Sequence, residues 1–444
     1  MRFSSLSGLA VALIVRPGSC SPAPAQQFSN PAVSISEAPS TQQFGLSANP
    51  HPDIFSSPAR AKFSHFKNYG NHGKGSETVN TIFSGVYPVL NVTFLGKEPQ
   101  DFVAFIDTGS ADTWAISQDF QCLDIETKVP LPQSACAFGA GFNPALGSFT
   151  NITDQEFSIG YFPENETLQG SMGYSPLKLG GLIVPKQEVA IVTEAAWAGD
   201  GTSAGLLGLA YPILTSASYR SNGSQAEYDP VFTTMVKEGI VKDAVFTLAL
   251  DRVPRGYSTS APAGTMAFGG LVSQRYYYPP FTSVPIELSV GVPGTALSWY
   301  SVTHELIYSL QNGTIVSGGT YQSIVDSGTA PNFVPTAAAN DLNAQFSPPG
   351  VYNATLGYWV VDCDAKAPFA AFKIGGKVMP MDPRDMIVRS LNGLPGYENV
   401  CFSAFGDGGD PTDGQIIGEV WQRSYVVAYD VGRSMLHFAN RIPY

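Results

Sequence analysis

A chain of 444 residues with 44% apolar content is too long for one ordinary core, so two or more packed units are expected. Charged residues make up only 14%, and 36 acidic against 24 basic side chains give a net charge of −12. That argues against nucleic-acid binding, which needs clustered Lys and Arg to neutralise phosphates. An acidic surface loses its charge as pH falls and so suits work in acid, although acidity also serves plain solubility.

From the N-terminus, Arg2 precedes an apolar run at 6–15, and Ala23-Pro24-Ala25 offers a small-residue cleavage site. Residues 1–25 are expected to be a signal peptide, too short to span a membrane. Arg16-Pro17-Gly18 interrupts the run. The C-terminus has no hydrophobic tail, so no membrane anchor is expected. Residues 26–76 are rich in Ser, Pro, Gln and Asn with little apolar period, and are expected to be a pro-segment. Its later part gathers Arg60, Lys62, Lys67 and Lys74.

Strand patterns take over beyond that point. Residues 81–93 contain alternating stretches, 102–106 form a continuous apolar run expected to be buried, and 231–238 carry Phe232, Met235 and Val236 at helical spacing. Prolines and a tyrosine cluster at 271–300 suggest a crossing between two lobes. The expected division is 77–270 for the N-terminal lobe and 271–444 for the C-terminal one.

Export is consistent with two further features. Asn91, Asn151, Asn165, Asn222, Asn312 and Asn353 each open an N-x-Ser/Thr sequon for glycosylation. Removing Cys20 with the signal leaves four cysteines and three possible connectivities. The economical pairing is Cys122 with Cys136 and Cys363 with Cys401, one short loop in each half. A secreted protein is expected, with an acidic intracellular compartment as the alternative.

The chemistry sits in a two-fold echo. Phe105-Ile106-Asp107-Thr108-Gly109-Ser110 and Ile324-Val325-Asp326-Ser327-Gly328-Thr329 share one pattern, 219 residues apart. An Asp-Ser/Thr-Gly triplet arises by chance roughly once in 2,000 residues. Here there are two, each directly after a buried strand. Glycine two places on permits close backbone approach, and the hydroxyl between can tie one loop to the other. Two carboxylates sharing a site of low dielectric hold one proton between them, the arrangement that the aspartic proteases exemplify. Such a pair can activate water without metal, cofactor or covalent intermediate. No metal site is expected, since HExxH and CxxC are absent and histidines are few.

From about residue 81 onward the chain resembles the pepsin-like aspartic proteases. Asp107-Thr108-Gly109-Ser110-Ala111-Asp112-Thr113-Trp114 is similar to the first active-site loop with its tryptophan. Phe157-Ser158-Ile159-Gly160-Tyr161 is similar to the strand leading to the flap, with Tyr161 as flap tyrosine. Gly205-Leu206-Leu207-Gly208-Leu209-Ala210-Tyr211-Pro212 and Gln415-Ile416-Ile417-Gly418-Glu419 are similar to the segments that thread behind the two loops. Cys363 and Cys401 fall where the family has a C-lobe disulfide. The resemblance implies an all-β, bilobal fold with a cleft, Asp107 and Asp326 as the catalytic pair on its floor, and Ser110 and Thr329 hydrogen-bonded to them. It also implies an aspartic endopeptidase, a monomer acting in acid on proteins or peptides. Phe162-Pro163 stands where the family has Gly and Thr, which puts flap contacts in question.

Two other classes fit parts of the chain. Gly201-Thr202-Ser203-Ala204-Gly205 matches the nucleophile elbow of serine hydrolases, with His304 or His437 as base. That motif needs a helix after it, and a short apolar run follows instead. A pepsin-like fold that binds peptides without cutting them is the second, and both intact triplets speak against it.

Overall fold

A computed structural model describes residues 35–39, 42–48, 88–161, 166–252, 261–290, 292, 294–354, 357–388, 400–412 and 414–443. All the elements below belong to one unit, residues 36–444. The expected signal peptide and most of the expected pro-segment lie outside the described residues, as do Asn165 and the Phe162-Pro163 departure.

Strands dominate. Pro88–Phe94 and Gln100–Asp107 pair antiparallel, with Phe102, Ala104 and Ile106 buried and Val103 and Phe105 half-buried. The 102–106 run is therefore an alternating strand, not a segment buried throughout, because successive side chains point to opposite faces. Gly205–Gly208 lies beside it in parallel and beside Thr113–Leu123 in antiparallel sense. The hairpin Gln155–Tyr161 with Glu166–Leu179, and then Leu182–Ala196, complete this half.

The second half repeats the theme with other partners. Ser301–Ser309 pairs antiparallel with Ile315–Val325, and Gln415–Ile417 runs parallel to the end of that strand. A small sheet of Val351–Asn353, Tyr358–Asp362, Val400–Ser403 and Ile387–Val388 closes this lobe. Val245–Leu250 and Tyr425–Asp430 pair across the halves, with every residue of both strands buried. A strand covered on both faces suits such a mostly apolar sequence, in which Thr247 and Asp430 are the polar exceptions. Buried apolar side chains of both lobes form one continuous cluster.

Two segments depart from their sequence patterns. Within 271–300, Tyr277–Pro285 is a strand paired with Met435–Arg441. It ends its sheet, where prolines leave no ladder bond unmade. Within the expected pro-segment, Gln43–Ala48 is a strand inserted between Ala261–Phe268 and the start of Pro88–Phe94. The preceding residues are stitched down as well: Ala38 donates its N–H to the Leu271 carbonyl, and Leu271 donates to that of Ser36. Backbone hydrogen bonding, which needs no apolar period, holds this strand.

The helix Val231–Lys237 buries Val231, Phe232 and Met235. Cys122 is bonded to Cys136 and Cys363 to Cys401, closing loops of 14 and 38 residues. On chain-entropy grounds these disfavour the unfolded state by about 3 and about 4 kcal/mol. Among the described residues no helix is long and apolar enough to cross a membrane. Asn91, Asn151, Asn222 and Asn312 are exposed, and Asn353 is half-exposed.

Candidate active site

Asp107 ends the strand Gln100–Asp107, and Asp326 follows directly on Ile315–Val325. Both are buried, at 8% and 7% exposure. Matched bonds anchor each carboxylate. Gly109 donates its N–H to Asp107 Oδ1 at 2.7 Å, and Gly328 to Asp326 Oδ1 at 2.8 Å. Ser110 Oγ donates to Asp107 Oδ2, and Thr329 Oγ1 to Asp326 Oδ2 at 2.6 Å.

The loops are tied to each other by the residues between. Thr108 Oγ1 donates to the Val325 carbonyl at 3.0 Å and accepts from the Ser327 N–H at 2.9 Å. Ser327 Oγ donates to the Ile106 carbonyl at 2.8 Å and accepts from the Thr108 N–H at 3.2 Å. All four bonds are buried. Thr108→Val keeps the shape but leaves a buried carbonyl and N–H unpaired. Each unpaired group costs about 1–3 kcal/mol, so urea unfolding should show the variant less stable by about 2–5 kcal/mol. A variant as stable as its parent would show that water replaces these bonds.

The glycines settle how close the two loops come. A methyl group placed on Gly109 would lie 2.6 Å from the Asp326 carboxyl carbon, and one on Gly328 would lie 2.6 Å from that of Asp107. Each glycine makes room for the other loop's aspartate. The price of that proximity is electrostatic: burial first, then the charge of Asp107, pushes Asp326 up from the ordinary carboxylate value.

Behind each loop runs its threading strand. Leu209 donates its N–H to the Asp107 carbonyl, and Asp326 donates to that of Ile417. The supports beneath differ between the halves. Under the first loop, buried Asp112 accepts from the Ser216 N–H at 3.0 Å and from the Tyr228 hydroxyl at 2.7 Å. Burial raises its pKa against those two bonds. Under the second, Glu419 donates its N–H to the Thr329 carbonyl and takes a bidentate bond from Arg423, at 2.8 and 2.9 Å.

Tyr161 stands at the end of its strand, its hydroxyl accepting from Trp114 Nε1 at 3.0 Å. Its ring meets Trp197 edge-on, and Trp197 stacks on Phe138. Trp299 Nε1 donates to the Gly109 carbonyl at 2.7 Å, locking the second half onto the first loop. Sequence reasoning passed over Trp197, Phe138 and Trp299. The only signal was their size, since none lies in a recurring motif.

Ser203 is placed differently from a nucleophile. It is buried, and its hydroxyl and N–H both donate to Asp200. A strand follows it where the elbow motif needs a helix. His304 and His437 bond Ser323 and Ser283 instead. Among the described residues, no group of three or more His, Cys, Asp or Glu side chains could hold a metal ion.

A two-lobed β fold in which each half contributes one buried aspartate to a shared site defines a class of hydrolases. The comparisons agree with it. The family model described as eukaryotic aspartyl protease matches residues 90–441. A probable aspartic-type endopeptidase of Aspergillus fumigatus is 31% identical over 417 residues, covering 90% of this chain and 91% of that one. Human gastricsin is 28% identical over 360 residues, 78% and 79% of the two chains. The crystal structure of an aspartic proteinase from Irpex lacteus superposes with a TM-score of 0.62 over 82% of this chain and 95% of that one, at 20% identity. That last likeness concerns the fold. The chain belongs to the eukaryotic aspartyl protease family and is an aspartic endopeptidase, a hydrolase of peptide bonds.

Proposed function

We propose that Asp107 and Asp326 are the catalytic pair and that Asp326 holds their shared proton. The observation that carries this reading is the mutual fit of the glycines: each loop leaves room only where the other's carboxyl sits. Two carboxyls brought so close in a dry site cannot both ionise. Burial, and then the charge of Asp107, push Asp326 towards the neutral form.

The roles follow. Asp107 takes a proton from a water molecule as the water oxygen attacks the scissile carbonyl carbon. Asp326 gives its proton to the carbonyl oxygen, forming a neutral tetrahedral gem-diol. On collapse, the C–N bond breaks. One proton passes from Asp107 to the departing nitrogen, and one returns from the diol to Asp326. Water is consumed, and the pair ends as it began. Tyr161, held by Trp114, is the flap residue over the bound peptide, and Trp197 borders the same region.

The rest of the proposal concerns the protein's life before catalysis. Residues 1–25 direct secretion, the sequons carry glycans, and the protein acts as a monomer on protein or peptide substrates. Residues 26–76 are a pro-segment ahead of lobes at 77–270 and 271–444. Support for an inhibitory role comes from the sheet. Ala48 and Pro88 are register partners, so the two ends of the stretch that carries Arg60, Lys62, Lys67 and Lys74 lie side by side. Set against the carboxyl pair, these cations would hold both aspartates ionised until acid weakens the contact.

Digestion of denatured protein across pH tests the reading. Activity is expected to be highest in acid, to fade with rising pH as the pair loses its shared proton, and to stop with a statine-type inhibitor. Activity that climbs steadily to pH 8 would remove the shared proton from the mechanism.

A further inference from the structure

The hairpin that carries Tyr161 also holds a buried carboxylate. At the start of Glu166–Leu179, Glu166 and Leu168 are buried and Gln169 is exposed, so Glu166 lies on the inward face. Tyr161 is its register partner across the hairpin and shares that face. Glu166 is only 4% exposed. A charge taken that far out of water costs stability unless hydrogen bonds offset it.

One such bond joins it to the neighbouring chain. Thr167 pairs with Ala196, the last residue of Leu182–Ala196, and there the pairing of the two strands stops. The Glu166 side chain carries it one step further: Ala198 donates its N–H to Glu166 Oε1 at 2.9 Å. Trp197 is thereby held on both sides, by the strand pairing at Ala196 and by the carboxylate at Ala198. Gly199 has a separate tie, its N–H donated to the Cys136 carbonyl at 2.9 Å. The chain beyond Ala198 therefore keeps an anchor of its own. On the outward face, Lys128 Nζ donates to Thr167 Oγ1 at 3.2 Å. Burial lowers the Lys128 pKa, and the negative charge of Glu166 works against that fall.

What Trp197 touches gives this anchoring its consequence. Its ring meets Tyr161 edge-on at 5.3 Å between centroids and Trp114 at 5.8 Å. Trp114 Nε1 donates to the Tyr161 hydroxyl. One tryptophan thus grips the tyrosine at its hydroxyl and the other along its ring. Trp114 is fixed within the strand Thr113–Leu123. Trp197 lies just past a strand end and depends on Ala198 for its place.

We propose that Glu166 is a positioning residue for peptide hydrolysis: by holding Ala198 it fixes Trp197 against Tyr161 and keeps that tyrosine over the bound peptide. This rests on Tyr161 being the flap residue. The test is steady-state cleavage of a quenched fluorescent peptide by Glu166→Leu, Glu166→Gln and Tyr161→Ala, and by Glu166→Leu in a Trp197→Ala background. Glu166→Leu fills the space but accepts nothing. It should raise KM roughly fivefold to tenfold, the worth of one net hydrogen bond, with kcat close to parental. Glu166→Gln keeps an acceptor oxygen for Ala198 and should bring KM back to within about twofold of the parent. In the Trp197→Ala background, Glu166→Leu should leave KM unchanged, because both residues act through one contact. Glu166→Ser, too short to reach Ala198, should match the leucine variant and serves if that variant does not fold. A lower kcat at unchanged KM would leave Glu166 a structural role only. A KM rise undiminished in the Trp197→Ala background would mean a route that bypasses the tryptophan. Either result overturns the proposal. Tyr161→Ala separates it from the reading on which it rests. A parental KM there sinks the flap assignment, whereas a raised KM there beside a parental KM in Glu166→Leu sinks the positioning role alone.

Discussion

Asparagine in place of Asp326 is expected to lower kcat for peptide hydrolysis by roughly 10³–10⁴-fold, towards the upper end for loss of a general acid. KM should change little, because the amide fills the same space, its oxygen can still accept from the Gly328 N–H, and its NH2 can donate to Thr329 Oγ1. Asp107→Asn should lose activity to the same degree, since a single carboxyl cannot at once take the water proton and give one to the carbonyl oxygen. The two variants should part company in stability. Asp326 is raised from the ordinary 3.8 to about 8 in the folded protein. Folding therefore favours its neutral form, and its contribution is full below pH 4 and is lost as pH rises through 8. Asp326→Asn has nothing to ionise, so its unfolding midpoint should fall less between pH 4 and 8 than that of the parent. Some decline will remain, because burial also raises Asp112, and raises Glu188 and Glu419 to about 7, all with the same sign. Thermal melts at four or five pH values, beside a peptide assay, check both halves. Near-parental turnover by either asparagine variant would end the assignment.

What the sequence disclosed was the chemistry, for a physical reason. An aspartate that must face a second one across a few ångströms needs a hydroxyl beside it to bind the opposite strand and a glycine after it to admit the opposite carboxyl. These demands fall within four consecutive residues and apply twice. Asp107 to Ser110 and Asp326 to Thr329 therefore stand out without any knowledge of the fold. The threading strands were legible on similar grounds, being short apolar runs that end in glycine. Supports that depend on distant chain were not legible. Trp299 reaches Gly109 only because the bend ahead of Ser301–Ser309 docks on the first half. Tyr277–Pro285 becomes a strand only because Met435–Arg441 is beside it. Gln43–Ala48 lies in a stretch whose composition suggests no order, and it is paired along its backbone with Ala261–Phe268. The supports under the two loops were hidden differently. Asp112 and Glu419 sit inside the recognised motifs, but nothing local says that one meets a tyrosine and the other an arginine.

Gly328→Ala is expected to fold and to be nearly inactive, a combination that separates the geometry of the site from its chemistry. Gly328 is not in the left-handed region, so alanine imposes no backbone strain there. Its methyl would nevertheless lie 2.6 Å from the Asp107 carboxyl carbon, well inside the 3.0 Å that real contacts respect. Either the carboxyl retreats or the loops separate. Overpacking of this kind costs typically about 1–3 kcal/mol, which two disulfides and a continuous core should survive. Activity is less forgiving, since misplacing a catalytic group by about 1 Å can cost roughly 10²-fold. Gly109→Ala makes the mirror-image test, with its methyl 2.6 Å from the Asp326 carboxyl carbon. Both variants keep every titrating group, yet the strain between the carboxyls should ease as they move apart. The neutral-side limb of the residual pH profile should then shift towards acid, because Asp326 gives up its proton more readily once Asp107 is farther away. Titrating residual activity against pH, with circular dichroism to confirm folding, gives both readings from one preparation. Parental turnover in Gly328→Ala would mean that the two carboxyls need not meet, and the shared proton would go with them.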